Sequence, residues 1–389
     1  MKTPTGRGAT IALAAAGMLL LSSCSSPAAE TPGAVAPSAG GGTTATCDAV
    51  EVGGFTRCEN FYEDFWPEID RQMDALYEQA LAIDGGRLVV WDWYELAPEV
   101  IAQFNSRYPE LTIETRGLTY NLPSAIISAD ATGARNTDII SGSLVSAAAM
   151  TDEGYWAEVD WTEYGVPEEF LSIGAPEMLP DSINGSLMQV NVDKIEAPGA
   201  LEGLLAPEFN GKVSIASYNP IVFAGYGMAN GEEAMVDLIG ELKSSGALQV
   251  LEDQNSPLSS GDVPIALNQT LFNPNPSLAA VPFEDGAVFA QFSGVNADAE
   301  NIPGGMLWTL WNAYDPDWLE LRMTDEQFST TQVPYPGLPT SLFEKATGLM
   351  KTNADALLLG LENGASIETQ ATRDEWIAMT TAADAALNG

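Results

Sequence analysis

The stretch from Arg87 to Tyr120 constrains this 389-residue chain more than any other. Leu88, Val89 and Val90 form an apolar run of the kind that a strand buried on both faces requires. Pro98 and Glu99 then open a helix, with Leu96 just before it and Val100, Ile101, Phe104 and Tyr108 spaced for one buried face. Residues 111–115 read as a second strand. A strand, a helix and a strand at this spacing make a crossover unit, which lays its two strands parallel. The loop Trp93-Tyr94-Glu95 then falls at the carboxyl edge of the sheet, where open α/β sheets bind ligands.

The rest of the chain continues the alternation. Residues 59–83 read as an amphipathic helix, with Phe61, Phe65, Ile69, Met73, Leu76 and Ala80 on one stripe. Helix is expected over 121–131 and 144–150, with a short strand at 138–140 between them. Strands are expected at 186–192, 213–216 and 263–267. Met235, Leu238, Ile239 and Leu242 mark an amphipathic helix over 232–245. Residues 277–295 read as an extended return, and 302–314, 342–361 and 373–387 as helices. Trp308 and Trp311 then pack in the core, and the proline-rich segment 332–339 is a loop. Alternating strands and helices argue for α/β architecture.

The N-terminus reads as a targeting segment. Lys2 and Arg7 precede an apolar run over 11–21 that is short for a membrane span, and Leu21-Ser22-Ser23-Cys24 follows it. This pattern resembles a bacterial lipobox, which implies cleavage before Cys24 and acylation of its thiol. Residues 24–46 have the composition of a flexible tether. Cys47 and Cys58 remain, and in an exported chain they pair as a disulfide. The mature chain is then anchored to the membrane rather than spanning it, on the outer face of the cytoplasmic membrane.

Composition narrows the function. The formal charge is −39, which disfavours nucleic acid, because phosphate binding needs clustered Lys and Arg. The acidity is spread along the chain and reads as a solubility or salt-tolerance adaptation. There is no histidine, which removes the usual triads, the commonest general base and most zinc sites. No nucleophile elbow or phosphate-binding glycine loop is present. No cofactor and no metal are expected. Paired carboxylates among the 54 acidic residues leave a surface lipoprotein hydrolase as an alternative.

Candidate binding residues sit at the strand ends. Trp91 reads as core; Trp93 shares its face and suits either the core or a cleft. Tyr94 and Glu95 follow it. Thr119 and Tyr120, and Ser141 and Ser143, lie at the same sheet edge, where small polar residues either hold an anionic group or cap helices. Ser217, Tyr218 and Asn219 precede Pro220, and Asn268 ends a later strand, in the equivalent places of a second α/β block.

In order along the chain, Leu88-Val-Val-Trp91, Phe104-Asn-Ser-Arg-Tyr-Pro109, Leu111-Thr-Ile113, Asp138-Ile-Ile-Ser-Gly-Ser143, Leu205-Ala-Pro-Glu-Phe-Asn-Gly-Lys212 and Gly261-Asp-Val-Pro-Ile-Ala-Leu267 resemble the type 2 solute-binding proteins of ABC importers. The resemblance covers roughly residues 87–300 and implies two α/β lobes joined by crossing hinge strands. Their limits would be 1–23 for the signal peptide, 24–46 for the tether and 47–85 for a disulfide loop and helix. Lobe 1 would take 86–190 with 286–389, and lobe 2 would take 191–285. The resemblance implies a monomer that captures a small polar solute between its lobes and passes it to an importer permease without catalysing a reaction. Ferric-binding members carry a tyrosine pair after the strand that matches Val263 to Leu267. Asn268-Gln269-Thr270-Leu271 stands there instead, so iron would need non-standard ligands. Polyamine-binding members end their first strand in an aromatic motif like Trp93-Tyr94-Glu95, which points to an amine-containing ligand such as a polyamine.

Overall fold

The computed structural model describes residues 46–52, 55–92, 95–118, 122–133, 136–142, 150–151, 154–172, 177–268, 275–325, 332–335 and 337–389. The expected helix over 144–150 falls almost wholly outside them, as do Cys24 and the tether up to residue 45.

A hairpin of β1 (Ala49–Val52) and β2 (Phe55–Cys58) opens the described chain, and the Cys47–Cys58 disulfide closes its base. Two helices follow, α1 (Phe61–Asp64) and α2 (Trp66–Leu81). The sequence stripe holds, since Phe61, Ile69, Met73, Leu76 and Ala80 are all buried. The single helix expected here is broken at Phe65, because Pro67 in the first turn of α2 has no N–H to continue a helical ladder.

The crossover unit forms as expected, with β3 (Arg87–Asp92), α3 (Pro98–Arg107) and β4 (Thr112–Gly117), and β3 and β4 are parallel over their whole length. Of the face read as buried, Phe104 and Tyr108 are buried and Leu96, Val100 and Ile101 are half-buried. Then come α4 (Leu122–Thr132) and β5 (Ile139–Gly142), which is also parallel to β3. Asp138 locks this unit from inside. Its Oδ2 accepts from the Val89 N–H (2.7 Å) and its Oδ1 from the Asn301 N–H (3.1 Å).

The chain next runs through β6 (Met178–Gly185), β7 (Leu187–Asn191), β8 (Val213–Ile215), α5 (Ile221–Asn230), α6 (Glu232–Ser244), β9 (Leu248–Val250), α7 (Asn255–Ser260), β10 (Ile265–Asn268) and β11 (Leu278–Pro282). It returns through β12 (Ala287–Val295), α8 (Ile302–Tyr314), α9 (Pro316–Thr324), β13 (Val333–Pro334), α10 (Thr340–Phe343), α11 (Gly348–Glu362), β14 (Ser366–Ile367) and α12 (Arg373–Asn388). Where sequence reads a loop over 332–339, Val333 and Pro334 pair with β6. Pro334 is tolerated because β13 is the edge strand of its sheet.

Besides the hairpin, the described strands form two sheets. One runs β13-β6-β12-β5-β3-β4, with β14 beside β12; the other runs β11-β7-β10-β8-β9. Each sheet has its own helices, so the chain has two α/β lobes. In the second lobe Met235, Leu238, Ile239 and Leu242 of α6 pack with Met188, Val213, Ile215 and Leu267 of the strands. Each such side chain contributes roughly 1.5–3 kcal/mol by leaving water. In the first lobe, α8 lays Trp308, Trp311 and Tyr314 into an aromatic core with Phe61, Phe104 and Phe170.

The lobes are joined where strands change sheets. β6 and β7 are separated by Ser186 alone, yet lie in different sheets; so do β11 and β12, across residues 283–286. The two crossings are bonded to each other. The Ser186 N–H donates to Ala287 O (2.7 Å), and the Ala287 N–H donates to Ser186 Oγ (3.1 Å). A third crossing joins them. β14 pairs with β12, the Ser366 N–H donates to Gly286 O (2.9 Å), and α12 then packs Ala383 and Leu387 into the core of the second lobe. Helix α5 presses on this junction at Gly225, where a Cβ would lie 2.2 Å from Ala287 N. Only glycine permits that approach.

Candidate functional site

The registers place the strand ends relative to the crossings. In the second sheet β8, β9 and β10 are mutually parallel, so Ile215, Val250 and Asn268 end at one edge. Asn268 pairs with Leu187, the first residue of β7, so that edge is also the crossing edge. In the first sheet β3, β4 and β5 end together at Asp92, Gly117 and Gly142. Gly142 pairs with Phe292, and β12 extends from there back to Ala287 at the crossing. The carboxyl edges of both sheets therefore open towards the same junction, the arrangement in which α/β sheets hold ligands.

Of the residues expected there, Trp93, Tyr94, Thr119, Tyr120 and Ser143 lie outside the described residues, as does the side chain of Asn268. Glu95 is exposed after β3. Ser141 is the third residue of β5 and half-buried, with its Oγ 3.4 Å from Ser293 Oγ. Ser217 follows β8 by two residues; its hydroxyl donates to Glu252 Oε1 (3.4 Å), and its carbonyl accepts from Asn388 Nδ2 (3.0 Å). Tyr218 is 48% exposed and Asn219 only 3%. A turn precedes Pro220, with the Asn219 N–H donating to Ala216 O (3.0 Å). The topology thus brings Glu95 and Ser141 to one sheet's carboxyl edge, and Ser217, Tyr218 and Asn219 to the other's. Glu252, just beyond β9, joins the second set unpredicted, because one acid among 54 carries no signal in the sequence.

Beneath Ser141 lies a buried polar cluster. Asp181 on β6 sits at an irregularity where Gln291 pairs with Ser182 but Phe292 with Pro180, leaving Asp181 as an extra residue. Such a bulge re-aims a side chain. Asp181 Oδ2 accepts from Ser293 Oγ and from Asn312 Nδ2 (3.2 Å), and Oδ1 accepts from Ser182 Oγ (2.8 Å). Burial pushes this carboxyl above its usual range; Ser293, the facing Arg322 guanidinium, Ser182 and Asn312 oppose the shift. Arg322 is itself buried, which lowers its value, and it donates to Gln332 O (3.2 Å). Chemically, the edges present hydroxyls, an aromatic ring and carboxylates, which suit recognition of a polar solute. Among the described residues no group of His, Cys, Asp or Glu is placed to hold a metal ion.

No family model and no curated protein matches the chain. Solved structures do. Iron-bound HitA from Pseudomonas aeruginosa is 14% identical, with a TM-score of 0.53 over 72% of this chain and 99% of that one. The spermidine/putrescine ABC transporter substrate-binding protein PotD from Streptococcus pneumoniae is 15% identical, with a TM-score of 0.54 over 77% and 99%. The ABC substrate-binding protein Lmo0181 from Listeria monocytogenes, in complex with cycloalternan, is 12% identical, with a TM-score of 0.57 over 78% and 96%. Iron, polyamine and sugar proteins thus share one scaffold, and the likeness extends over nearly the whole of each. With its two sheets joined by crossing strands, this chain has the fold of the type 2 substrate-binding proteins of ABC transporters.

Proposed function

We propose that the protein is an extracellular receptor that holds a small polar solute between its lobes and delivers it to an ABC importer permease. The observation that carries this reading is the convergence of both carboxyl edges on the bonded crossings. A lipid on Cys24 would tether the receptor to the outer face of the membrane, and no helix among the described residues is long and apolar enough to cross it. The receptor acts as a monomer and catalyses nothing. The crossings support a first lobe limit at Ser186, a few residues before the expected 190, and a second near 286, with α12 returning to the second lobe. Trp93, Tyr94, Glu95, Thr119, Tyr120, Ser141 and Ser143 would form one wall, and Ser217, Tyr218, Asn219 and Asn268 the other. Aromatic faces and carboxylates favour an amine-bearing solute over ferric iron.

A thermal-shift panel of spermidine, putrescine, amino acids, thiamine, phosphonates, oligosaccharides and ferric citrate tests the proposal. A bound solute at about 100 times its Kd adds roughly 2.7 kcal/mol to stability and raises the melting temperature. A panel that shifts nothing, together with cleavage of a glycoside, would make the protein a hydrolase instead.

A further inference from the structure

The cluster under Ser141 has a direction. Trp318 Nε1 can only donate, and it bonds Asn312 Oδ1 (3.2 Å). That bond fixes the Asn312 amide, so Nδ2 is the atom that faces Asp181. Asp181 Oδ2 accepts from Nδ2 and also from Ser293 Oγ. A proton on this carboxyl belongs on Oδ1, where Ser182 Oγ accepts it and in turn donates to Gln332 Oε1 (3.2 Å). Oδ2 stays an acceptor in either state. Ser293 has one hydroxyl hydrogen, and Asp181 takes it. The contact between Ser293 and Ser141 must then be made by the Ser141 hydrogen.

We propose that this relay, from Trp318 through Asn312, Asp181 and Ser293, turns the Ser141 hydroxyl inward and presents only its lone pairs to the end of β5, which makes the site select a cationic donor group such as an ammonium or amidinium. A carboxylate or phosphate oxygen meets lone pairs at Ser141 and finds no donor there. Of the two readings that the sequence leaves for Ser141, the relay removes the anion-holding one. Asp181 and Ser293 are positioning residues, because they act on the solute only through Ser141. The inference rests on the solute-capture reading and names the residues that set its preference for an amine-bearing solute.

The test is calorimetry on the whole protein with spermidine and putrescine, using succinate as an anionic probe of similar length. The amines bind and succinate does not. Ser141→Ala weakens amine binding about three- to tenfold, the effect of one hydrogen bond. Ser293→Ala frees the Ser141 hydroxyl and weakens it as much. The double variant is no worse than either single one, a coupling that simple loss of packing does not produce. Asp181→Asn, with its Oδ1 in place of Oδ2, keeps the relay and holds amine affinity within about twofold. Circular-dichroism melts confirm that each variant is folded. Wild-type affinity in Ser293→Ala, or Asp181→Asn as weak as Ser293→Ala, overturns the relay. Succinate binding tighter than the amines, or a neutral oligosaccharide binding where no amine does, overturns the charge class but leaves solute capture standing. No binding by any compound in either panel overturns both.

Discussion

Asp181 combines two demands that usually exclude one another, full burial and a carboxyl group. Three side-chain donors meet it, and Arg322 faces it. Because burial raises its pKa, the folded protein holds the proton more tightly than the unfolded chain does. Its contribution to stability is present at acid pH, below the ordinary carboxylate value, and is lost as pH rises through the raised one. Asn mimics the protonated form and escapes that loss. Melts of Asp181→Asn against the wild type between pH 4 and 8 should therefore move in favour of Asn as pH rises, whatever constant offset comes from leaving the buried Arg322 charge without its carboxylate; a gap independent of pH contradicts this. Trp93 belongs to the same scale. Trp93→Ala should weaken solute binding at least tenfold while the melting temperature changes little, if the indole stacks on the solute. A large drop in melting temperature with unchanged affinity would return Trp93 to the core. Ser141 and Ser217 were legible as strand-end hydroxyls, but Asp181, Ser293 and Asn312 were not. They are 112 and 131 residues apart in sequence from Asp181, and no local pattern joins them.

Elements were legible where periodicity is strong. The stripe Met235, Leu238, Ile239 and Leu242 is buried as its spacing requires, and Trp308 and Trp311 of α8 are core. Strand β6 was not legible. Pro180, Asp181, Ser182, Asn184 and Gly185 are residue types that favour turns, yet every residue of the strand is buried. Tertiary partners supply what local propensity denies: Ser182, Ser293 and Asn312 satisfy the carboxylate, and the edge strand β13 covers one side. The junction between α5 and the crossings is equally invisible from spacing. Gly225→Ala would place a methyl on the backbone of Gly286 and Ala287, which must move apart. A loss of about 1–3 kcal/mol or more is expected in urea melts. Unchanged stability would mean that α5 is not seated on the crossing. The N-terminal hairpin is tied to lobe 1 by the Cys58 N–H to Gly337 O (2.8 Å) and by Arg57 Nη1 to Thr340 Oγ1 (2.9 Å). Removing its disulfide as Cys47→Ser with Cys58→Ser should cost roughly 2–3 kcal/mol at most, because the loop it closes is short. Solute affinity should be unaffected; a matching loss of affinity would place the hairpin in the binding mechanism.

At the scale of the molecule, the alternation of strands and helices announced α/β architecture, and the resemblance carried by six short segments announced two lobes and their connection. The third crossing was not announced. β14 is two residues long, and only its pairing with β12 shows that the chain leaves the first lobe before α12 joins the second. On the solute-capture reading, solute binding should draw the lobes together by rotation about the three bonded crossings. The helices α3 and α6 carry exposed Ser106 and Ser244 on different lobes. Spin labels on Ser106→Cys and Ser244→Cys, with Cys24→Ser to remove the lipid thiol and the native disulfide retained, report the separation by electron–electron resonance. A solute found by the thermal-shift panel should shift the distance distribution to shorter, narrower values at saturation. An identical distribution with and without saturating solute would contradict capture between closing lobes.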